Sequence, residues 1–171
     1  MRRTLAAAAA LLLLTAGCAA GPPTTAPAGG QVTHPVTKVV DGDTLHVTLD
    51  GTDESVRFIG INAPEITRGK DECMGQQARD FIADATAETP VVLTDDPTQQ
   101  DRDRYGRLIR YVELPDGTDL SLALIQEGLA REVRYAAKFQ REARYITAES
   151  AARTEGRGGW ADPTRGGCGW S

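Results

Sequence analysis

Five short runs of β-branched and apolar residues, Asp-Gly turns between the first of them, and three later helical stretches, one with clear apolar spacing and two ended by glycine, predict an α+β chain that is mainly β. The expected architecture is a small closed barrel of five strands with flanking helices. The first strands, 37–41 and 44–49, surround Asp41-Gly42, and Asp50-Gly51 turns the chain into a third at 55–61, making a meander. Asn62-Ala63-Pro64-Glu65 ends that ladder, because proline has no N–H to donate.

After a loop to Glu72, residues 75–88 are expected to be helical, since Ala78, Phe81, Ile82 and Ala85 recur on one face. Residues 90–94 and 108–114 read as the fourth and fifth strands, separated by the charged loop DDPTQQDRDRYGR. Helices are expected over 120–127, ended by Gly128, and over 139–155, stopped by Gly156, Gly158 and Gly159. Five strands with one helix inserted before the fourth fit an OB-type barrel.

The chain has 171 residues, enough for one domain with accessory segments. Residues 1–17 read as a secretory signal: Arg2 and Arg3 precede an apolar run over 5–14 that is too short to span a bilayer. Cys18 follows at once, and LTAGC resembles the lipobox of bacterial lipoproteins, with Thr15 where leucine is usual. Either lipidation at Cys18 or simple export with cleavage follows from this segment. Residues 18–33, almost wholly Ala, Pro, Gly and Thr, form a tether; the domain is placed at 34–161, with a glycine-rich tail at 162–171.

If lipid takes Cys18, an even pair remains, Cys73 and Cys168. In an oxidising compartment these are expected to bond and to tie the tail back to the domain. Closing so long a loop is worth roughly 4–5 kcal/mol in the chain-entropy model.

The net charge of −5 becomes −7 once Arg2 and Arg3 of the leader are removed. There is no broad basic coat for non-specific capture of nucleic acid. A polyanionic substrate must therefore be held by a local group of arginines or by a bridging cation.

Four clusters could carry chemistry: Asp41-Gly-Asp43-Thr44, Arg57, Asn62-Ala-Pro-Glu65 and Asp103-Arg-Tyr-Gly-Arg107. Asp-Gly-Asp serves a hairpin, because glycine accepts φ > 0, or a metal, because its second carboxylate shares a strand face with Leu45, Val47 and Leu49. Thr44, His46 and Thr48 occupy the opposite, polar face. The DRD run is not an EF-hand loop, since the twelfth position from Asp101 is Val112 rather than a bidentate carboxylate.

Together the clusters describe a phosphodiester site. Asp43 and Asn62 offer hard oxygens suited to Ca²⁺. Glu65 can deprotonate a water. Arg57 and Arg107 present planar forks to phosphate, and Tyr105 can lie against a base or donate to a terminal phosphate.

With VVDGDT, VRFIGINAPE, CMGQQA, DRYGR and LIQEGLA in this order, the chain resembles the thermonuclease family, the secreted Ca²⁺-dependent nucleases of staphylococcal type, from about Lys38 to Trp160. The resemblance implies a five-stranded OB barrel with three helices, and calcium-dependent cleavage of DNA and RNA by water, leaving a 3′-phosphate. It implies Arg57, Glu65 and Arg107 as catalytic residues, and Asp43 and the Ala63 backbone carbonyl as calcium ligands. Asn62 stands where the staphylococcal enzyme has a ligand aspartate, and Asp41 is placed in the outer shell. The family's stacking tyrosine falls on either Arg134 or Tyr135. The expected setting is the outer face of the bacterial membrane through lipid on Cys18, or free secretion, with the chain a monomer. A binding module of the same barrel, weak or inactive in catalysis, is the alternative; degenerate copies usually lose the arginines or the glutamate, and all three are present here.

Overall fold

The alternating residues on either side of Asp41-Gly42 and Asp50-Gly51 form three antiparallel strands, β1 (Val36–Val39), β2 (Thr44–Leu49) and β3 (Thr52–Phe58). They belong to a computed structural model that describes residues 31–171. The signal read at 1–17, the lipidation at Cys18 and most of the tether lie outside the described residues. The chain continues through β4 (Ile61–Asn62), α1 (Gly75–Thr86), β5 (Val92–Thr94), β6 (Leu108–Glu113), α2 (Leu120–Gln126), β7 (Arg131–Glu132) and α3 (Glu142–Glu155).

The main sheet runs β1-β2-β3-β6-β5, with β3 and β6 parallel and the other neighbours antiparallel. Its two edges meet: His34 N–H donates to the Val91 carbonyl at 2.7 Å, and Val91 N–H returns a bond to His34 at 2.9 Å. That seam closes the sheet into the expected five-stranded barrel. The interior is filled by Leu45, Val47, Val56, Phe58 and Val112, against which Ile82 of α1, Leu124 of α2 and Tyr145 of α3 pack.

The third strand is shifted toward the N-terminus, to 52–58 from the expected 55–61, and a second, two-stranded sheet takes up residues 61–62. Gly60 turns the chain at φ 76°, and a Cβ there would lie 2.5 Å from the Phe139 ring. Past that turn Ile61 and Asn62 pair with Glu132 and Arg131, a partnership with no local signal in the sequence. The first strand stops at Val39 because Val40 and Asp41 both donate their N–H to the Thr44 carbonyl, at 3.0 and 3.3 Å.

The last helix begins at Glu142 rather than at 139. Gln140 N–H is taken by Asp96 Oδ2 at 2.7 Å and Arg141 N–H by the Tyr111 hydroxyl at 3.2 Å, which holds these residues outside the helix. After α3 come two single-turn 3-10 helices, Gly158–Trp160 and Pro163–Arg165. Cys73 and Cys168 form a disulfide, their Cα atoms 5.9 Å apart. No helix among the described residues is long and apolar enough to cross a membrane.

Candidate active site

The turn between β1 and β2 sets the first wall of the site. Gly42 is required there by space, not by φ as the sequence pattern suggested: a Cβ would lie 2.6 Å from Ala78 Cβ and 2.8 Å from Ala63 Cβ. This close approach brings the start of β2 against the loop after β4. Asp43, 5% exposed, accepts the Ala63 N–H at Oδ2 (2.7 Å) and the Thr44 hydroxyl at Oδ1 (3.1 Å). Asp41, 8% exposed, accepts the Asp43 N–H at 3.0 Å. Burial pushes the Asp41 carboxyl up to about 7, and the neighbouring Asp43 carboxylate adds to the rise.

Arg57 comes from β3 directly opposite Thr44. Its Nη2 lies 3.1 Å from Asp43 Oδ2 and donates to the Ile61 carbonyl (2.8 Å) and the Tyr135 hydroxyl (3.1 Å), while Nη1 donates to the Phe58 carbonyl. These bonds hold a guanidinium that is itself buried. The Tyr135 hydroxyl in turn donates to Asn62 Oδ1 at 2.7 Å. Asn62, Tyr135, Arg57 and Asp43 thus form one continuous chain of polar contacts.

Arg107 reaches the same wall from the opposite side. It leaves the tight DRYGR turn, in which Asp103 Oδ1 accepts the N–H groups of Tyr105 and Arg107. Asp103 Oδ2 accepts Arg107 Nε at 2.7 Å, and Arg107 Nη1 donates to the Thr44 hydroxyl at 3.2 Å. Tyr105 is exposed, with the Arg104 and Arg107 guanidinium groups 4.8 and 5.5 Å from its ring centroid.

Glu65 occupies the loop after β4. Its Oε1 accepts both the N–H (2.8 Å) and the hydroxyl (2.5 Å) of Thr67. Thr67 thereby holds the Glu65 carboxyl below the usual carboxylate range, so it is ionised at neutral pH.

The donors suit a hard divalent cation. Among the described residues, no three His, Cys, Asp or Glu side chains come together as a metal site. Any such cation here must combine carboxylate with amide and carbonyl oxygen, which Asp43, Asn62 and Ala63 offer and which Ca²⁺ accepts.

A sequence model of the family described as staphylococcal nuclease homologue matches residues 55–162, more than half of the chain. The chain belongs to the staphylococcal nuclease family. Over 133 residues it is 32% identical to a thermonuclease of Staphylococcus hyicus, covering 76% of each chain. It is also 31% identical over 147 residues to a micrococcal nuclease of Shigella flexneri, covering 81% of this chain and 79% of that one. A thermonuclease of Staphylococcus intermedius is 36% identical over 102 residues, 58% of this chain and 59% of the relative. Family and relatives support a nuclease function.

Within this staphylococcal nuclease family member, Asp41, Asp43, Arg57, Asn62, Ala63 and Arg107 are joined by the contacts above, and Glu65 adds its charge to the field at Asp41. Of the two candidates after Ala130, Tyr135 reaches the site, whereas Arg134 is paired through Nε with Glu142. Three supporting residues have no individual role legible in the sequence: Thr44, Thr67 and Glu72, whose side chain accepts the Glu65 N–H at 3.0 Å. Thr44 belongs to the polar face of its strand, yet it is buried, with Asp43 and Arg107 both bonded to its hydroxyl. The spacing of Thr67, two residues after Glu65, is an ordinary short-range capping signal that could have found it.

Proposed function

We propose that this protein is an exported Ca²⁺-dependent nuclease that hydrolyses phosphodiester bonds of DNA and RNA and leaves 3′-phosphate ends. The observation that carries the reading is the contact chain from Asn62 through Tyr135, Arg57, Asp43 and Thr44 to Arg107, with an ionised Glu65 in the neighbouring loop. Family membership supports nucleic acid as the substrate.

Each residue has a distinct task. Glu65, with one oxygen held by Thr67, keeps acceptor capacity for the proton of an attacking water. Arg57 and Arg107 face the phosphate from two sides and stabilise the charge that builds on its oxygens as the water adds and the P–O5′ bond breaks. Their bonds to Asp43, Asp103 and Thr44 fix the forks before substrate arrives, so little reorganisation is needed during reaction. A calcium ion held by Asp43, Asn62 and the Ala63 carbonyl, with Asp41 outside them, would supply positive charge to the phosphate and to the attacking water. Exposed Tyr105 and Tyr135 offer flat faces to unpaired bases.

The disulfide supports export, since such bonds persist in oxidising compartments. Lipid on Cys18 would hold the chain, as a monomer, at the outer face of the membrane; without lipid it would be secreted. The purified protein is expected to release acid-soluble nucleotides from single-stranded DNA and RNA with Ca²⁺ and to stop when the metal is chelated. Binding of DNA without calcium-stimulated cleavage at mildly alkaline pH would replace this reading with the non-catalytic binding module.

A further inference from the structure

The Cys73–Cys168 bridge joins two segments that each support one wall of the site. Cys73 follows Glu72, and Glu72 closes the Glu65 loop. Its N–H donates to the Glu65 carbonyl at 3.0 Å, and its side chain accepts the Glu65 N–H at 3.0 Å. Residues 68–73 are all exposed, so apolar burial does little to hold this loop in place.

Cys168 lies in the tail, and the tail is docked. Cys168 and Trp170 both donate their N–H to the Gly159 carbonyl, at 3.1 and 3.0 Å, and Gly169 donates to Ala161 at 3.1 Å. The Trp170 ring stands edge-on to Trp160, centroids 5.2 Å apart, and carries the Arg131 guanidinium on its face at 4.8 Å. Arg131 is the residue of β7 that pairs with Asn62 of β4. The tail therefore links the loop of the candidate base covalently to an anchor that also touches the strand pair bearing Asn62.

We propose that the bridge and the docked tail are a positioning element of the active site, so that this nuclease reaches its full rate only when Cys73 and Cys168 are oxidised. The inference rests on the reading of Glu65 as the base. Closing the bridge passes two electrons and two protons from the two thiols to the disulfide of a dithiol–disulfide exchange partner, which becomes a dithiol; a dithiol reductant reverses the step. With the thiols reduced, the Glu65 loop is released from its anchor while the barrel keeps its own core. A chain still in a reducing compartment is then slow, and export arms it.

The test compares the oxidised protein with the same protein reduced by dithiothreitol, at saturating Ca²⁺ on single-stranded DNA. Reduction is expected to lower kcat about tenfold or more, as misplacement of a catalytic group does, and to leave KM within about twofold. Amide exchange should speed up across 65–72 while the barrel strands stay protected. The double variant Cys73→Ser, Cys168→Ser should show the same loss and no response to reductant. Trp170→Ala, which retains the bridge, should show a smaller loss of kcat and carries the test if reduction unfolds the barrel. If the reduced, doubly substituted and Trp170→Ala proteins all cleave at the oxidised rate, the tail is a staple for stability alone and the proposal is overturned. An oxidised protein that does not cleave at all overturns the nuclease reading instead. In that case unchanged exchange across 65–72 on reduction would overturn the positioning role as well.

Discussion

Asp103 holds Arg107 at two points: one carboxylate oxygen accepts its backbone N–H at 3.0 Å and the other accepts Nε at 2.7 Å. With the side chain held so, Nη1 donates to the Thr44 hydroxyl at 3.2 Å. Asp103→Ala removes both bonds and leaves the charge of Arg107 in place. Its kcat should fall by about 10–100-fold, less than for Arg107→Ala, because an aimed donor is lost while a mobile one remains. The partly exposed ion pair adds about 1 kcal/mol or less to stability, and the N–H groups of Tyr105 and Arg107 lose their shared acceptor, so the melting temperature should fall by only a few degrees, roughly. Steady-state kinetics beside a melting curve checks both.

Glu65→Gln keeps the shape of the side chain and its acceptor for Thr67 but cannot take a proton from water. A loss of about 10²–10⁴-fold in kcat is expected, with an unchanged circular dichroism spectrum. Thr67→Val, which removes the hydroxyl bond but not the backbone one, should cost less, about tenfold. Wild-type rates in Glu65→Gln would remove this residue from the base role.

Asn62→Asp adds a negative charge where the amide oxygen already accepts the Tyr135 hydroxyl. Calcium affinity, measured by isothermal titration calorimetry, should rise about tenfold or more, since ligand charge tunes such sites. An unchanged affinity would show that Asn62 is not a ligand.

Acid sensitivity of the fold should trace in part to Asp96. Burial works to raise its carboxyl, but the Tyr111 hydroxyl (2.6 Å), the Gln140 N–H (2.7 Å) and Thr98 outweigh burial and hold it below its ordinary value of 3.8. A carboxylate depressed in the folded state adds stability above the unfolded value, and that stability is lost as pH falls through the folded value. Asp96→Asn should therefore be less stable near neutrality, by roughly 1–3 kcal/mol, and the gap should narrow as the pH drops below about 4. Urea midpoints measured across that range decide it.

The barrel and most of the site were legible because their signals are local. Alternation about Asp-Gly turns identifies the meander; Asp43, Glu65 and Arg107 stand in or beside turns with recognisable chemistry, and Arg57 is a charged residue within a strand. What escaped depends on contacts between distant segments. The β4–β7 pair joins residues 61–62 to 131–132, with no periodicity to announce it. Tyr135 could not be separated from Arg134 by spacing, because only the fold shows that Arg134 is taken by Glu142 and that Tyr135 faces Asn62. The Asp-Gly pattern implies a torsional requirement at Gly42, but the constraint is volume, a distinction that needs Ala63 and Ala78 in view.

Gly42 also governs what this site can become. It carries no functional group, yet any side chain there would push against Ala63, whose N–H is bonded to Asp43, and against α1 through Ala78. A deep mutational scan scored on activity would rank position 42 beside the carboxylates that flank it. The route to altered function would then run through combined changes, since a larger residue at 42 needs room made at both 63 and 78 first. The double Ala63→Gly, Ala78→Gly background is the one in which that position opens to variation.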